Sequence, residues 1–161
     1  MFAFDPHTEL HVAALRCLAI VEFIGKPTLP QNKLTITKAA IFDAALKNPN
    51  VTRKILNNLA PERMHKELLR QVLYPDDVEY GEPVSTREIA AVAALLVKFD
   101  MIKIAHVEGD FYLMPKETLK IDFSRLPGSW TISLKALKPL TSKSLGTLQK
   151  AAFQDEPYYE E

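Results

Sequence analysis

The side chains that could perform chemistry are few and widely spaced in this sequence of 161 residues. His7 and His11 lie four residues apart, a spacing at which one helix face can bring two imidazoles to a metal ion. The intervening Glu9 lies one position away from where a zinc-protease helix carries its general base, and no third ligand is signalled. We therefore predict no metal site and interpret these histidines as helix surface.

Glycines and serines provide no catalytic motif either. The five glycines are scattered, so they form neither a phosphate-binding loop nor a dinucleotide fingerprint. No serine lies in the context of a nucleophile elbow. The acidic segment from Tyr74 to Pro83 lacks the alternating oxygen ligands and the closing Glu of a calcium loop. We expect no cofactor and no enzymatic activity from this chain.

The overall charge and the cysteine usage bear on partners and compartment. Lys plus Arg equal Asp plus Glu, 20 against 20, which argues mildly against nucleic acid as the main partner, since nucleic-acid-binding proteins usually carry a basic excess. Cys17 is the single cysteine, and the absence of a disulfide within the chain suits a reducing compartment. There is no signal-peptide pattern and no run near the ~18 apolar residues that cross a bilayer. We therefore expect a cytoplasmic protein without membrane association.

The stretch from Val84 to Pro115 carries the strongest structural pattern. Ser85, with Glu88 three residues later, predicts a capping box at a helix start, and Asp100 predicts a left-handed stop. From Ile89 to Val97 the helix is apolar on almost every side, whereas a surface helix shows one apolar stripe. We therefore expect this helix to be enclosed by its neighbours or by a partner.

A two-stranded hairpin is predicted directly after this helix. The runs Met101–Val107 and Asp110–Met114 have strand-like composition and flank the turn pair Glu108-Gly109. Helix followed by hairpin is the second half of a winged helix. Because two exposed strands alone are marginally stable, one hairpin face should cover the helix and the other should meet solvent or a partner. The candidate partner-binding residues are Tyr112, Phe111, Glu108 and Asp110.

The rest of the chain is predicted to be mainly helical. In the first helix, Leu10 should face the core, whereas Arg16 and Glu22 should face water. We predict a mainly α, winged-helix-like domain with a small β-hairpin wing over residues 5–153, followed by a mobile acidic tail over 154–161. The other predicted elements are helices from Asp5 to Ile24, from Thr35 or Thr37 to Lys47, from Thr52 to Leu59 and from Pro61 to Leu73, a strand from Leu119 to Phe123, a helix capped by Ser129, and a last helix capped by Thr141 or Ser142.

Sequence-specific DNA binding is the main rival interpretation, because winged helices often read DNA. A recognition helix offers polar side chains to base edges in the major groove. Here only Ser85, Thr86, Arg87 and Glu88 are polar before the apolar run. The hairpin tip Glu108-Gly109-Asp110 is acidic, so it would repel phosphates. Both features argue against base readout.

A basic stretch lies towards the C-terminus. Between Phe123 and Gln154 there is no Asp or Glu. A solvated helix face is the simpler interpretation, and a patch for the phosphate backbone of DNA or for an acidic protein surface is the functional one. The candidate DNA-backbone residues are Arg125, Lys135, Lys138, Lys143 and Lys150.

The order of these elements resembles a known family. The similarity is to the small middle component of bacterial three-component ABC-ATPase systems, which include Lamassu-type anti-phage defence complexes. It covers residues 5–153 and rests on size, order of elements and apolar pattern, since no signature motif is present. The stretches that carry it are an apolar first helix, an Ile-Phe-Asp helix ending at Asn-Pro (Ile41 to Pro49), a capped helix with a wing (Val84 to Met114), and a leucine-rich closing helix (Leu140 to Phe153).

The resemblance implies a non-catalytic accessory subunit that binds an SMC-like ATPase and an effector, often a nuclease, in a hetero-oligomer. No catalytic residues carry over, because the family offers none to match. Two alternatives stay open: a DNA-binding winged-helix transcriptional regulator, and a structural winged-helix subunit of a housekeeping SMC complex. A non-specific contact with DNA stays open as well.

Overall fold

The structure, a computed structural model, describes residues 10–64, 66, 86–117 and 120–153. This part of the chain is mainly helical with one small antiparallel sheet, which confirms the predicted class. The α-helices are α1 (Leu10–Ile24), α2 (Ile36–Lys47), α3 (Pro49–Leu59), α4 (Thr86–Lys98), α5 (Gly128–Leu137) and α6 (Leu145–Phe153); the strands are β1 (Ile102–Val107) and β2 (Asp110–Pro115); short 3-10 turns span Pro61–Arg63, Phe123–Arg125 and Lys138–Ser142.

Local side-chain caps define α2 and α3. The hydroxyl of Thr35 accepts the backbone N–H of Lys38 at 3.2 Å, so α2 begins directly after it. Asn48 ends α2 and also begins α3, because its side chain accepts the N–H of Asn50 at 3.0 Å. Pro49 then occupies the first helical position, where its missing N–H costs nothing. Asn48 therefore both ends α2 and begins α3, and α3 starts three residues before the predicted position, Thr52.

The predicted hairpin is confirmed. Asp100 adopts a φ of 62°, which ends α4 in a left-handed conformation. Glu108 and Gly109 have φ values of 51° and 85°, and two positive φ angles define the type I′ turn that matches the twist of antiparallel strands. The strands pair with Ile104 opposite Leu113.

The segment before α2 lies along the second edge of β2. The N–H of Leu113 donates to the carbonyl oxygen of Leu34 at 2.9 Å, and Thr35 forms an antiparallel bridge with Tyr112. Asn32, which is buried, donates from Nδ2 to the carbonyl oxygen of Leu113 at 2.8 Å. β2 therefore has β1 on one side and residues 32–35 on the other.

One continuous core joins these elements. Helices α1, α2 and α4 pack against one another, while α5 and α6 pack on α2 and α3. The hairpin contributes the buried side chains of Ile102 and Leu113. At Gly25 an ideal Cβ would lie 2.6 Å from the carbonyl oxygen of Val21 and 3.2 Å from that of Leu113. Glycine is therefore required for the hairpin to approach the end of α1.

Arg16 is buried, contrary to the prediction that it faces water. Its side chain is 1% exposed, and Nε donates to Oδ1 of Asp43 on α2 at 2.8 Å. Lys47 lies 3.4 Å from the other Asp43 oxygen. The partner charge lies 27 residues away in the chain, so the helical pattern of α1 alone could not reveal it. The prediction that Leu10 faces the core was also wrong, since this residue is 57% exposed.

Other boundaries differ from the sequence predictions. Ser129 lies inside α5, whose first turn follows Pro127. Ser144, rather than Thr141 or Ser142, caps α6 by accepting the N–H of Thr147 at 3.2 Å. Residues 120–122 are not a strand, and Phe123 begins a 3-10 turn. A 3-10 turn also replaces the predicted α-helical start at Pro61.

Several predictions lie outside the described residues. They are the helix start at Asp5, the histidine at position 7, most of the predicted helix beyond Met64, the acidic segment from Tyr74 to Pro83, the cap at Ser85 and the acidic tail 154–161.

Candidate interaction surfaces

Helix α4 has two different faces. Ile89, Val92, Ala93 and Leu96 are buried against the core. On the opposite side Ala91 and Ala94 are exposed, and Val97 beside them is 38% exposed. Of the two predicted ways to enclose α4, neighbours in the described part of the chain cover only one side of it, so enclosure by a partner stays a prediction. The outward face combines apolar character with very small side chains.

Exposed apolar side chains are concentrated in α4 and the hairpin. Isolated exposed apolar residues are normal on a soluble protein, whereas a concentration of them is typical of an interaction site. Four of the seven large ones exposed in the described residues lie between positions 97 and 111. They are Val97, Phe99, Val107 and Phe111, and Phe99 is 63% exposed.

The hairpin is buried at its base and exposed at its tip. Phe111 and Leu113 share one face of the hairpin with Ile102 and Ile104. Leu113 is fully buried, whereas Phe111 is 46% exposed. The Phe111 ring stacks on His106, with 4.3 Å between ring centroids and 6° between planes. This stack gives the tip a flat, ordered aromatic surface.

The other predicted partner-binding residues occupy different settings. Tyr112 is on the opposite hairpin face and is half-buried beside Thr35, so it is less available than Phe111. Glu108 and Asp110 are exposed at the turn. Asp110 also acts electrostatically on Lys38: burial and the nearby charge of Lys33 lower the pKa of Lys38, whereas the charge of Asp110 acts to raise it.

A set of lysines surrounds the 3-10 turn Lys138–Ser142. Nζ of Lys38 donates to the carbonyl oxygen of Thr141 at 2.7 Å, which places the start of α2 against this turn. Lys138 lies on the turn, with its Nζ 5.2 Å from the centroid of the Phe23 ring. The lysine surface, as we name it, consists of Lys33, Lys38, Lys135, Lys138 and Lys143, and all of these except the half-buried Lys38 are exposed.

Three of the five predicted basic residues belong to this set, because Lys138 is on the turn and Lys135 and Lys143 lie within three residues of it. Of the other two, Arg125 pairs with Asp122 at 3.5 Å, and Lys150 lies in the second turn of α6. Sequence reasoning missed Lys33 and Lys38, because Lys38 and Thr141 are 103 residues apart in the chain. The sequence signal for these two lysines was weak: they flank the threonine-capped start of a predicted helix.

The described residues hold no group of three or more His, Cys, Asp and Glu side chains that could bind a metal ion. The thiol of Cys17 is fully buried, and burial, with a smaller effect of Asp43, raises its pKa to about 12. A thiol with this pKa holds almost no nucleophilic thiolate at neutral pH. None of the described helices has the length and apolar character to cross a membrane.

Comparison with known proteins adds no relative. No protein-family model matches the sequence, and neither a curated protein nor a solved structure matches the chain.

Proposed function

We propose that this chain is a non-catalytic adaptor that binds protein partners through α4 and the hairpin. The observation that carries the proposal is the concentration of exposed apolar side chains between positions 97 and 111, next to the small outward residues of α4. Protein interfaces have an apolar, often aromatic, centre with a polar rim. The proposed α4–hairpin surface consists of Ala91, Ala94, Val97, Phe99 and Phe111.

The arrangement of elements supports a winged-helix-like interpretation of the fold. Helices α1, α2 and α4 pack together, and the hairpin follows α4 directly. The bridge at Thr35 adds a short strand position between α1 and α2, on the free edge of β2. This is the order of a winged helix, with α3 and residues up to 85 inserted before the third helix. In this interpretation α4 occupies the recognition-helix position.

The proposed partners come from the resemblance to the small component of bacterial ABC-ATPase systems. They are an SMC-like ATPase and an effector, with a nuclease as the expected effector in an anti-phage defence complex. A subunit of a housekeeping SMC complex would share the same surface and would differ only in its partner. The α4–hairpin surface is the feature that either assembly would use.

The chemistry of α4 argues against a sequence-specific DNA regulator. The positions that point outward along α4 include Ala91 and Ala94, which offer no hydrogen-bonding group to a base edge. The hairpin tip presents the carboxylates of Glu108 and Asp110, both exposed. Carboxylates at this position would repel the phosphate backbone.

Co-purification with an ATPase tests the proposal. The chain is co-expressed with an SMC-like coiled-coil ATPase from its own host, and the complex is isolated through a tag on the ATPase. Ala94→Arg places a long charged side chain in the centre of the surface without entering the core, so it should abolish co-purification. Gln149→Arg, at an exposed position of α6, is the matched control and should leave it unchanged. Equal recovery of both variants contradicts the proposal.

A further inference from the structure

We propose that the lysine surface binds the phosphate backbone of double-stranded DNA without reading its sequence. This inference stands on residues outside the α4–hairpin surface and does not depend on the adaptor role. It gives the molecule a second partner, bound by a surface whose chemical character is opposite to that of the α4–hairpin surface.

The local charge around these lysines is positive. The segment between Phe123 and Gln154 contains no acidic residue, and three of the five surface lysines belong to it. Among carboxylates from other segments, Asp122 pairs with Arg125 at 3.5 Å, and Asp110 of the hairpin offsets part of the positive charge at Lys38. The balanced charge of the whole chain therefore conceals a concentrated positive field, which is what attracts a polyanion.

Two of these lysines are held by contacts with the core. The hydrogen bond from Lys38 to Thr141 fixes the start of α2 to the turn, and the contact of Lys138 with the Phe23 ring fixes the turn to α1. Burial lowers the pKa of Lys38, and the charge of Lys33 lowers it further; an anion on this surface would relieve this repulsion between the two lysines.

Two features favour duplex DNA over an acidic protein. None of the seven large exposed apolar side chains of the described residues lies in 33–47 or 123–150, the segments that carry the lysines, whereas protein interfaces have an apolar centre. All five members are lysines. Lysine binds phosphate as a point charge and lacks the planar fork with which arginine reads guanine. Backbone contact without base readout is the expected mode.

Fluorescence anisotropy with short labelled duplexes tests the inference. Two duplexes of unrelated sequence are titrated with the full chain at several salt concentrations. Lys135→Glu with Lys143→Glu should weaken binding to both duplexes by at least roughly tenfold and reduce the slope of log K against log salt by about 2, because two phosphate contacts are lost. Lys138 is left unchanged because its side chain packs on Phe23.

The matched control is Lys98→Glu with Lys103→Glu, which makes the same change in net charge at exposed positions of α4 and β1. It should leave both affinities within about twofold of the wild-type values. Thermal melting checks that both double variants are folded. Equal weakening by the two double variants overturns the inference, because bulk charge alone would then explain binding. Absence of duplex binding at low salt overturns it as well, and so does preferential binding of polyglutamate, which would identify an acidic protein as the ligand class.

Discussion

The α4–hairpin surface and the lysine surface lie on the same core but differ in almost every chemical property. The first exposes Phe99 and Phe111 and ends in two carboxylates at the hairpin turn. The second exposes ammonium groups and none of the large apolar side chains. The formal net charge of zero therefore describes neither of the two surfaces. Composition alone is therefore a weak guide to the partners of this chain.

One carboxylate of the hairpin acts on the lysine surface. Asp110, the first residue of β2, interacts electrostatically with Lys38, whereas Glu108 lies in the turn. Substitutions in the shared core should affect both surfaces together, and substitutions at their edges should separate them.

The largest expected effect is from Asp43→Ala, which disrupts the core that both surfaces share. It leaves the Arg16 guanidinium buried without the carboxylate that accepts from Nε. Loss of one member of a buried ion pair costs about 3–5 kcal/mol of unfolding free energy. Chemical denaturation measures this loss, and both partner binding and duplex binding should decline together. Lys47→Ala removes the more exposed partner of Asp43 and should cost less than about 1 kcal/mol; a similar cost for both variants contradicts this account of the pair.

The second prediction separates the two faces of α4. Leu96 is 4% exposed, so Leu96→Ala should lower the unfolding free energy by about 2–5 kcal/mol through loss of packing and the cavity left behind. Val97 is its neighbour on the outward side, and Val97→Ala should cost less than about 1 kcal/mol. Thermal or denaturant melts of the two variants measure the change in unfolding free energy. If Val97→Ala is as destabilising as Leu96→Ala, the outward face is part of the core rather than an interaction surface.

The third prediction concerns the charge of the hairpin beside the lysine surface. Asp110→Asn removes a negative charge that acts on Lys38, so duplex affinity should rise by roughly two- to threefold at low salt and by less at high salt. Glu108→Gln makes the same charge change two residues earlier and should have a smaller effect. Anisotropy titrations of both variants provide the comparison. A fall in duplex affinity on Asp110→Asn would show that Asp110 orders the lysines rather than repelling the ligand.

The smallest effect concerns pH and Glu22 on α1. Burial raises the pKa of its carboxyl group, against the attraction of Lys120, and Oε1 is buried with no hydrogen-bond partner in the described residues. A raised pKa means that the native state binds the proton more tightly than the unfolded chain. The stabilising contribution is therefore complete below the ordinary glutamate pKa of about 4.3 and is lost as the pH rises through the raised value.

Glu22→Gln should consequently raise the melting temperature at pH 7 and lose this advantage near pH 4. Glu62→Gln, at an exposed position, serves as the control and should shift the melting temperature less. A gain for Glu22→Gln that is the same at both pH values would show that protonation of Glu22 plays no part.

Sequence reasoning was most successful where the structure is determined locally. The positive φ angles at Asp100 and Gly109 occur in residue types that tolerate them, so the end of α4 and the hairpin turn could be predicted closely. The class of fold followed in the same way from helical periodicity and turn residues.

The features that were missed depend on residues far apart in the chain. Arg16 is buried because Asp43 on another helix neutralises it, and Asn32 is buried because it binds the backbone of β2. The lysine surface includes Lys38 through its contact with Thr141. Periodicity within one helix carries no information about such pairings. The cap of α6 was missed for a local reason. Both Ser142 and Ser144 are residue types that cap helices, and only the backbone conformation shows that Ser144 does so.

Titration calorimetry with the purified ATPase tests most directly whether the α4–hairpin surface, rather than the lysine surface, binds the protein partner. Phe99→Ala should weaken binding by about 2 kcal/mol, or roughly 30-fold, as loss of an aromatic anchor does. Lys135→Glu with Lys143→Glu should leave the ATPase affinity within about twofold, because these residues lie outside the α4–hairpin surface. The opposite pattern, with Phe99→Ala silent and the lysine variant unable to bind the ATPase, would contradict the account.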